Sequence, residues 1–226
     1  MTAAGAPAMA RRIRSWRNIK WSYCVKIPMI ICQLAGFLGS GKTTLLVRLG
    51  SELSKAGKKV AIIVNEVGEI GVDGAVIDSY GLKSVEITEG CICCSLSGSL
   101  QNTLRAITRE YKPDIIMIEP TGIALPSIVS KLVRTSMVGE ERMFTICLID
   151  AFRALKLFKE ANLFVSRQIA GADIVAVNKI DLVDEGVKEK VAQIIGEMSP
   201  RSKLVYISAK TGDGVAPLVE LLEDGR

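Results

Sequence analysis

Nine consecutive residues, Gly36-Phe37-Leu38-Gly39-Ser40-Gly41-Lys42-Thr43-Thr44, have the composition needed to hold a chain of phosphates. They fit the pattern G-x-x-x-x-G-K-[ST], and they stand where that pattern works, between an apolar run and an amphipathic stretch. Glycines at 36, 39 and 41 allow positive φ and let backbone N–H groups close around phosphate oxygens, with Ser40 in the same cradle. The first turn of the following helix adds its positive dipole end. Lys42 is the counter-charge to the β- and γ-phosphates and a candidate catalytic group. The Thr43 hydroxyl is placed to ligate Mg²⁺, and Thr44 to contact the α-phosphate.

A second constellation, Asn178-Lys179-Ile180-Asp181, closes the sixth apolar run of the chain. An Asp carboxylate there can accept from both N1–H and the 2-amino group of guanine, a pair that adenine cannot match. Asn178 can bond the purine and brace the loop, while the Lys179 stem covers the base. One run later, Ser208-Ala209-Lys210 offers a backbone N–H to the guanine O6. Asp181 as a plain helix cap is the alternative; the set as a whole favours GTP and GDP over ATP. The fourth run, Ile115-Ile116-Met117-Ile118, ends in Glu119-Pro120-Thr121-Gly122. A carboxylate at that tip can hold Mg²⁺ directly or through water, and the Gly122 N–H can sense the γ-phosphate. A solvated strand end is the other reading of Glu119 taken alone. Together the motifs point to an NTPase.

Cys91, Cys93 and Cys94 crowd into four positions, and the chain has no histidine. Bridges between such close cysteines would be strained, so metal ligation or redox chemistry is the better use of the cluster. Cys24, Cys32 and Cys147 lie among apolar neighbours and read as small buried hydrophobes. Three thiolates with an exchangeable fourth position suit Zn²⁺ or Co²⁺.

These groups need elements to position them. Apolar runs recur at Met29–Ala35, Lys59–Val64, Val85–Thr88, Asp114–Ile118, Met143–Ile149, Ile174–Val177 and Leu204–Ile207. They are continuous rather than alternating, as in strands covered on both faces. Helical candidates lie between them: Lys42–Ala56, Ser97–Tyr111, Pro126–Ser136, Ala151–Glu160, Glu185–Met198 and Val215–Leu222. The alternation predicts an α/β fold, a three-layer, doubly wound, mainly parallel sheet. At 226 residues the chain suits one such domain, over 29–226. Residues 1–28 carry six basic residues and no acid and read as a basic tail; a start at Met29 and a basic arm on an anionic partner are the alternatives. The net charge is +5, yet residues 29–226 hold 23 basic against 24 acidic residues, which argues against nucleic acid as a partner. No apolar run approaches a bilayer span and no secretory signal is evident, so a cytoplasmic protein with no membrane partner is expected.

The residues following the second and third runs, Asn65-Glu66-Val67-Gly68-Glu69-Ile70-Gly71-Val72-Asp73-Gly74 and Gly90-Cys91-Ile92-Cys93-Cys94, complete a resemblance. With Gly36–Thr44, Glu119–Gly122, Gln168–Asp173 leading into Asn178–Asp181, and Ser208–Lys210, the sequence resembles the CobW-type P-loop GTPases. The resemblance runs from about Met29 to the last residue, and its most discriminating element is Gly-Cys-x-Cys-Cys. It implies a metallochaperone-like GTPase, in which GTP hydrolysis drives transfer of zinc or cobalt to a client metalloprotein. By the same analogy Cys93 and Cys94, with Cys91, bind the metal and Glu66 is a neighbouring carboxylate. Asp73 is the candidate for orienting water, or equally a turn residue before Gly74. A nucleotide-dependent homodimer is usual among such relatives. Val67 replaces the common Phe, and the C-terminal domain and His-rich stretch frequent in the family have no counterpart here. A nucleotide-gated metal sensor or buffer and a small-molecule kinase are the alternatives; the guanine motif argues against the kinase.

Overall fold

β-branched runs flanked by glycine-rich loops become strands, and the amphipathic stretches between them become helices packed on both sheet faces. The computed structural model describes residues 29–64, 83–86 and 96–224, with side chains described over 29–64 and 100–223. In chain order the elements are β1 (Ile30–Gly36), α1 (Lys42–Lys55), β2 (Val60–Val64), β3 (Lys83–Glu86), α2 (Leu96–Glu110), β4 (Ile115–Glu119), α3 (Pro126–Ser136) and β5 (Arg142–Asp150). They continue as α4 (Ala154–Glu160), α5 (Asn162–Ala170), β6 (Ile174–Asn178), a 3-10 turn (Ile180–Leu182), α6 (Glu185–Met198), β7 (Lys203–Tyr206) and α7 (Ala216–Asp224).

The strands form one seven-stranded sheet in the order β3-β2-β4-β1-β5-β6-β7, and every pairing among the described residues is parallel. β1 lies between β4 and β5. The chain leaves β1 toward β2 and leaves β4 toward β5, so the sheet has its switch point at the loop after β1. Ligands of open α/β sheets bind at such a point, beyond the carboxyl ends of the strands. The register brings Gly36 beside Leu148, Val64 beside Glu119, and Asp150 beside Asn178.

Alternate residues of each strand face opposite layers. Cys32 and Leu34 of β1 pack with Leu45, Leu46 and Leu49 of α1 and Leu218 and Leu222 of α7. On the other face, Ile31, Ile63 and Ile116 meet Leu104 of α2 and Val133 of α3. Cys147, Val175 and Val177 meet Phe158, Val165 and Ile195 of α4, α5 and α6. The expected three-layer doubly wound sheet is the observed one. Cys32 and Cys147 are fully buried, and desolvation pushes both thiols up to about 12, which leaves them inert. Cys24 lies outside the described residues.

One helix differs from expectation. The stretch expected to be helical from Ala151 begins only at Ala154, and a separate helix follows over Asn162–Ala170. The Asp150 carboxylate accepts from the Phe152 and Arg153 amides, and this side-chain turn holds residues 151–153 out of the helix. The second helix buries Val165 and Ile169 but has weak amphipathic patterning (Asn162-Leu163-Phe164 at its start), so sequence periodicity did not expose it.

Because Leu46 of α1 is fully buried against the central strands, Leu46→Ala should cost about 2–5 kcal/mol of stability, read by denaturant unfolding. A loss below about 1 kcal/mol would contradict the packing of α1 as the helix that seats the phosphate loop.

Candidate functional site

The glycine-rich loop turns tightly between β1 and α1. Gly36, Gly39 and Gly41 have φ of 131°, 71° and 97°. A Cβ at Gly36 would collide with the Leu148 carbonyl oxygen, and one at Gly41 with the Asn178 side-chain amide, so both positions need glycine for space as well as for φ. No side chain caps α1, which leaves its first-turn N–H groups facing the loop interior. Lys42 is buried, and its Nζ lies 3.4 Å from the Phe37 carbonyl. Ser40 is buried and Thr44 exposed. The Phe37 ring meets Phe164 of α5 edge-on at 5.8 Å, fixing the outer side of the loop.

Thr43 Oγ1 donates to Glu119 Oε1 at 2.8 Å, joining the start of α1 to the tip of β4. Glu119 is 2% exposed. A hydroxyl and a buried carboxylate side by side at a phosphate cradle are hard oxygen donors of the kind Mg²⁺ selects. Just beyond, a Cβ at Gly122 would lie 3.0 Å from the Leu38 amide nitrogen, so the β4 loop rides directly against the phosphate loop. Gln168 of α5 donates to the Ala124 carbonyl at 3.0 Å and holds that loop in place.

The Asn178–Asp181 segment reaches the same loop from β6. Asn178 Nδ2 donates to the Ser40 carbonyl at 2.7 Å, and its Oδ1 accepts the Ala209 amide at 2.8 Å. This side chain therefore ties the phosphate loop to the Ser208–Lys210 turn. Lys179, with φ of 65°, donates to the Gly39 carbonyl at 2.8 Å. Asp181 is exposed, and no hydrogen bond of its carboxylate is formed among the described residues. It is the middle residue of the 3-10 turn, which Lys179 precedes; the cap of the next helix is Asp184, which accepts the Val187 amide at 2.9 Å. In the Ser208–Lys210 turn the Ser208 amide donates to the Asp213 carbonyl and the Ala209 amide to Asn178, while the Lys210 amide has no partner among the described residues.

Three residues at this site were not singled out from the sequence. Asp150, 2% exposed at the tip of β5, receives Lys179 Nζ at 2.8 Å and Arg153 Nε at 2.9 Å. Arg153 Nη2 also donates to the Leu38 carbonyl at 2.7 Å. Arg48, on α1, donates to the Ala209 and Lys210 carbonyls at 2.8 and 2.7 Å. A signal for Asp150 existed, since an acid closes its apolar run as Glu119 closes that of β4; Arg48 and Arg153 carry none. Of the remaining expected residues, Glu66, Asp73, Cys91, Cys93 and Cys94 lie outside the described residues. The last described residues before those segments, Val64 of β2 and Glu86 of β3, pair with each other, and Val64 also pairs with Glu119 of β4.

Burial works against the Asp150 charge, yet the hydrogen bonds from Lys179 and Arg153 hold the carboxyl below the usual aspartate range. A depressed folded value adds stability above the ordinary aspartate value, about 3.9, and that stability is lost as pH falls through the folded value. The stability gap between the wild-type chain and Asp150→Asn should thus narrow as pH drops below about 4, measured by urea unfolding across pH. A gap that stays constant to the lowest pH at which the chain folds would contradict it.

Comparison with known proteins places this geometry. Residues 30–206 match the family model for the CobW/HypB/UreG nucleotide-binding domain. The zinc chaperone YeiR of Escherichia coli (strain K12) is 38% identical over 151 residues, covering 66% of this chain and 45% of YeiR. The zinc chaperone CobW of Sinorhizobium sp is 30% identical over 224 residues, 86% of this chain and 62% of that protein. The chain thus spans about half to three-fifths of these relatives. Among solved structures, the hydrogenase maturation factor HypB from Archaeoglobus fulgidus shares the fold at 20% identity, with a TM-score of 0.67 over 88% of this chain and 91% of that one. Zn(II)-bound YjiA GTPase from E. coli superposes with a TM-score of 0.57 at 26% identity, over 78% of this chain and 57% of that one. With the family model covering most of the sheet and both nucleotide motifs, the chain belongs to the CobW/HypB/UreG family through its nucleotide-binding domain.

Proposed function

We propose that this chain binds and hydrolyses GTP and couples the cycle to delivery of a transition metal, zinc or cobalt, to a client metalloprotein. The observation that carries the nucleotide half is Asn178, whose one side chain bonds the phosphate loop at Ser40 and the base-side turn at Ala209. In this reading the loop N–H groups and Lys42 hold the β- and γ-phosphates, Thr44 meets the α-phosphate, and Asp181 and the Lys210 amide read guanine. Ala209 and Ser208 shape the turn that presents that amide. Thr43 and Glu119 would hold Mg²⁺, which supplies charge neutralisation on the phosphate oxygens when bound. The Gly122 amide is the γ-phosphate sensor and Asp73 the residue that orients water.

The metal half rests on the zinc chaperone relatives and on the thiolate-rich sequence Cys91–Cys94, with Glu66 as the nearby carboxylate. Soft thiolates select a transition metal over Mg²⁺, so the two cations would occupy chemically distinct sites. The segments carrying both ligand sets follow β2, which pairs with β4 and its Glu119 tip, and β3, which lies one strand further out. Loss of the γ-phosphate would then alter the segment beside the metal and change its affinity. Pairing of two chains across bound nucleotide belongs to the same proposal. No helix among the described residues is long and apolar enough to cross a membrane.

Two measurements test this reading. GTP should bind at least about 100-fold more tightly than ATP, and Asp181→Ala should weaken GTP about 10–100-fold while leaving the fold intact. Equal affinity for the two nucleotides would overturn the guanine assignment. Zn²⁺ titration with GDP and with a non-hydrolysable GTP analogue should give different affinities, and Cys93→Ser/Cys94→Ser should abolish tight binding in both. Nucleotide-independent affinity would turn the protein into a metal buffer, and undiminished binding by the variant would remove the cysteines from the site.

A further inference from the structure

A loop that binds phosphate through its amides must turn its carbonyls away. A trans peptide is planar, so a carbonyl fixed outward points the next residue's N–H inward. In this chain three consecutive carbonyls are fixed from outside. Leu38 accepts from Arg153 Nη2 at 2.7 Å, Gly39 from Lys179 Nζ at 2.8 Å and Ser40 from Asn178 Nδ2 at 2.7 Å. The amides that these bonds turn inward belong to Gly39, Ser40 and Gly41. Ser40's is donated to the Phe37 carbonyl at 3.1 Å, while those of Gly39 and Gly41 have no partner among the described residues.

Asn178 and Lys179 belong to the base-reading motif; Arg153 and Asp150 belong to none. Yet Asp150 organises two of the three contacts. Its Oδ2 holds both Lys179 Nζ and Arg153 Nε, and its Oδ1 accepts the Phe152 and Arg153 amides at 3.0 and 3.4 Å. One buried carboxylate thereby sets the backbone from which Arg153 departs and the direction of its guanidinium. The Arg153 side chain is 41% exposed and lies over the exposed loop residues Leu38 and Gly39, where a Cβ on Gly39 would come within 3.0 Å of its Nη2. Burying a carboxylate is costly unless its partners are well aligned, and here both cations that compensate it end on the phosphate loop.

We propose that Asp150 and Arg153 are positioning residues for phosphate recognition: Asp150 aims Arg153 and Lys179, and these hold the Leu38 and Gly39 carbonyls outward so that the loop is shaped before nucleotide arrives. The proposal rests on the guanine-nucleotide reading above and deepens it. It makes the cradle pre-organised, so that a polyphosphate ligand does not bear the cost of ordering the peptides. Because Arg153 touches the loop from the side away from the phosphates, it acts through the backbone and not on the ligand itself. A role confined to bracing the β5–α4 corner would affect folding without distinguishing one nucleotide from another.

The test compares full-length chains for binding of fluorescent GDP and GMP, which differ by the β-phosphate that the loop grips. Arg153→Gln should weaken GDP about ten-fold and GMP by less than about two-fold, one charge-assisted hydrogen bond being lost on the polyphosphate side only. Arg153→Lys should recover part of the GDP loss, and Asp150→Asn should shift GDP in the same direction as Arg153→Gln. Thermal melting of the ligand-free Arg153→Gln chain should stay close to wild type. Wild-type GDP affinity in Arg153→Gln, or equal losses for GDP and GMP, would overturn the proposal while leaving guanine binding intact. A wild-type chain that binds neither nucleotide would overturn the guanine reading, and this proposal with it.

Discussion

The site depends on the orientation of a few peptide planes. Binding an anion with backbone amides requires the neighbouring carbonyls to point away from it, because one facing the phosphates would repel them. Their donors come from outside the loop: Arg153 beyond the tip of β5, and Lys179 and Asn178 at the tip of β6. The order of the sheet makes this feasible. β5 pairs directly with β1 and β6 with β5, so the loop after β1 lies within reach of both tips. Glycine at 36 and 41 follows from the same closeness, since any side chain there would occupy the space of Leu148 and Asn178.

Asn178 gives the site its unity. By bonding Ser40 on one side and Ala209 on the other, it makes the phosphate end and the base end one rigid body. Arg48 adds a second tie from α1, the helix that begins with Lys42, to the Ala209 and Lys210 carbonyls. In the proposed reading, recognition of base and of phosphate is therefore mechanically linked. Thr43 and Glu119 extend the linkage to β4, whose neighbour β2 lies between it and β3.

Much of this was legible in the residues. Continuous β-branched runs separated by amphipathic stretches specified a parallel, doubly covered sheet, and the Gly-x-x-x-x-Gly-Lys-Thr pattern located its phosphate loop. Asn178 was legible as a brace, and Glu119 as an acid at a strand tip. What escaped was the interplay of side chain and backbone. Asp150 lay just past the expected end of its strand, and its capture of the Phe152 and Arg153 amides delayed the helix beyond the periodic signal. Arg153 and Arg48 act through contacts made 115 and 161 positions away, and nothing in local composition marks such partners. The engagement of the Ala209 amide by Asn178, 31 positions away, had no signal in the sequence.

The central claim is that the phosphate cradle is formed before ligand binds and is held by its outward carbonyls. Crystal structures of the full chain without nucleotide and with GDP and Mg²⁺ test it most directly. The account predicts that residues 36–43 superpose in the two structures, with Arg153, Lys179 and Asn178 on the Leu38, Gly39 and Ser40 carbonyls in both. A ligand-free loop with one of those peptides flipped, its carbonyl turned into the cradle and Arg153 released, would contradict it.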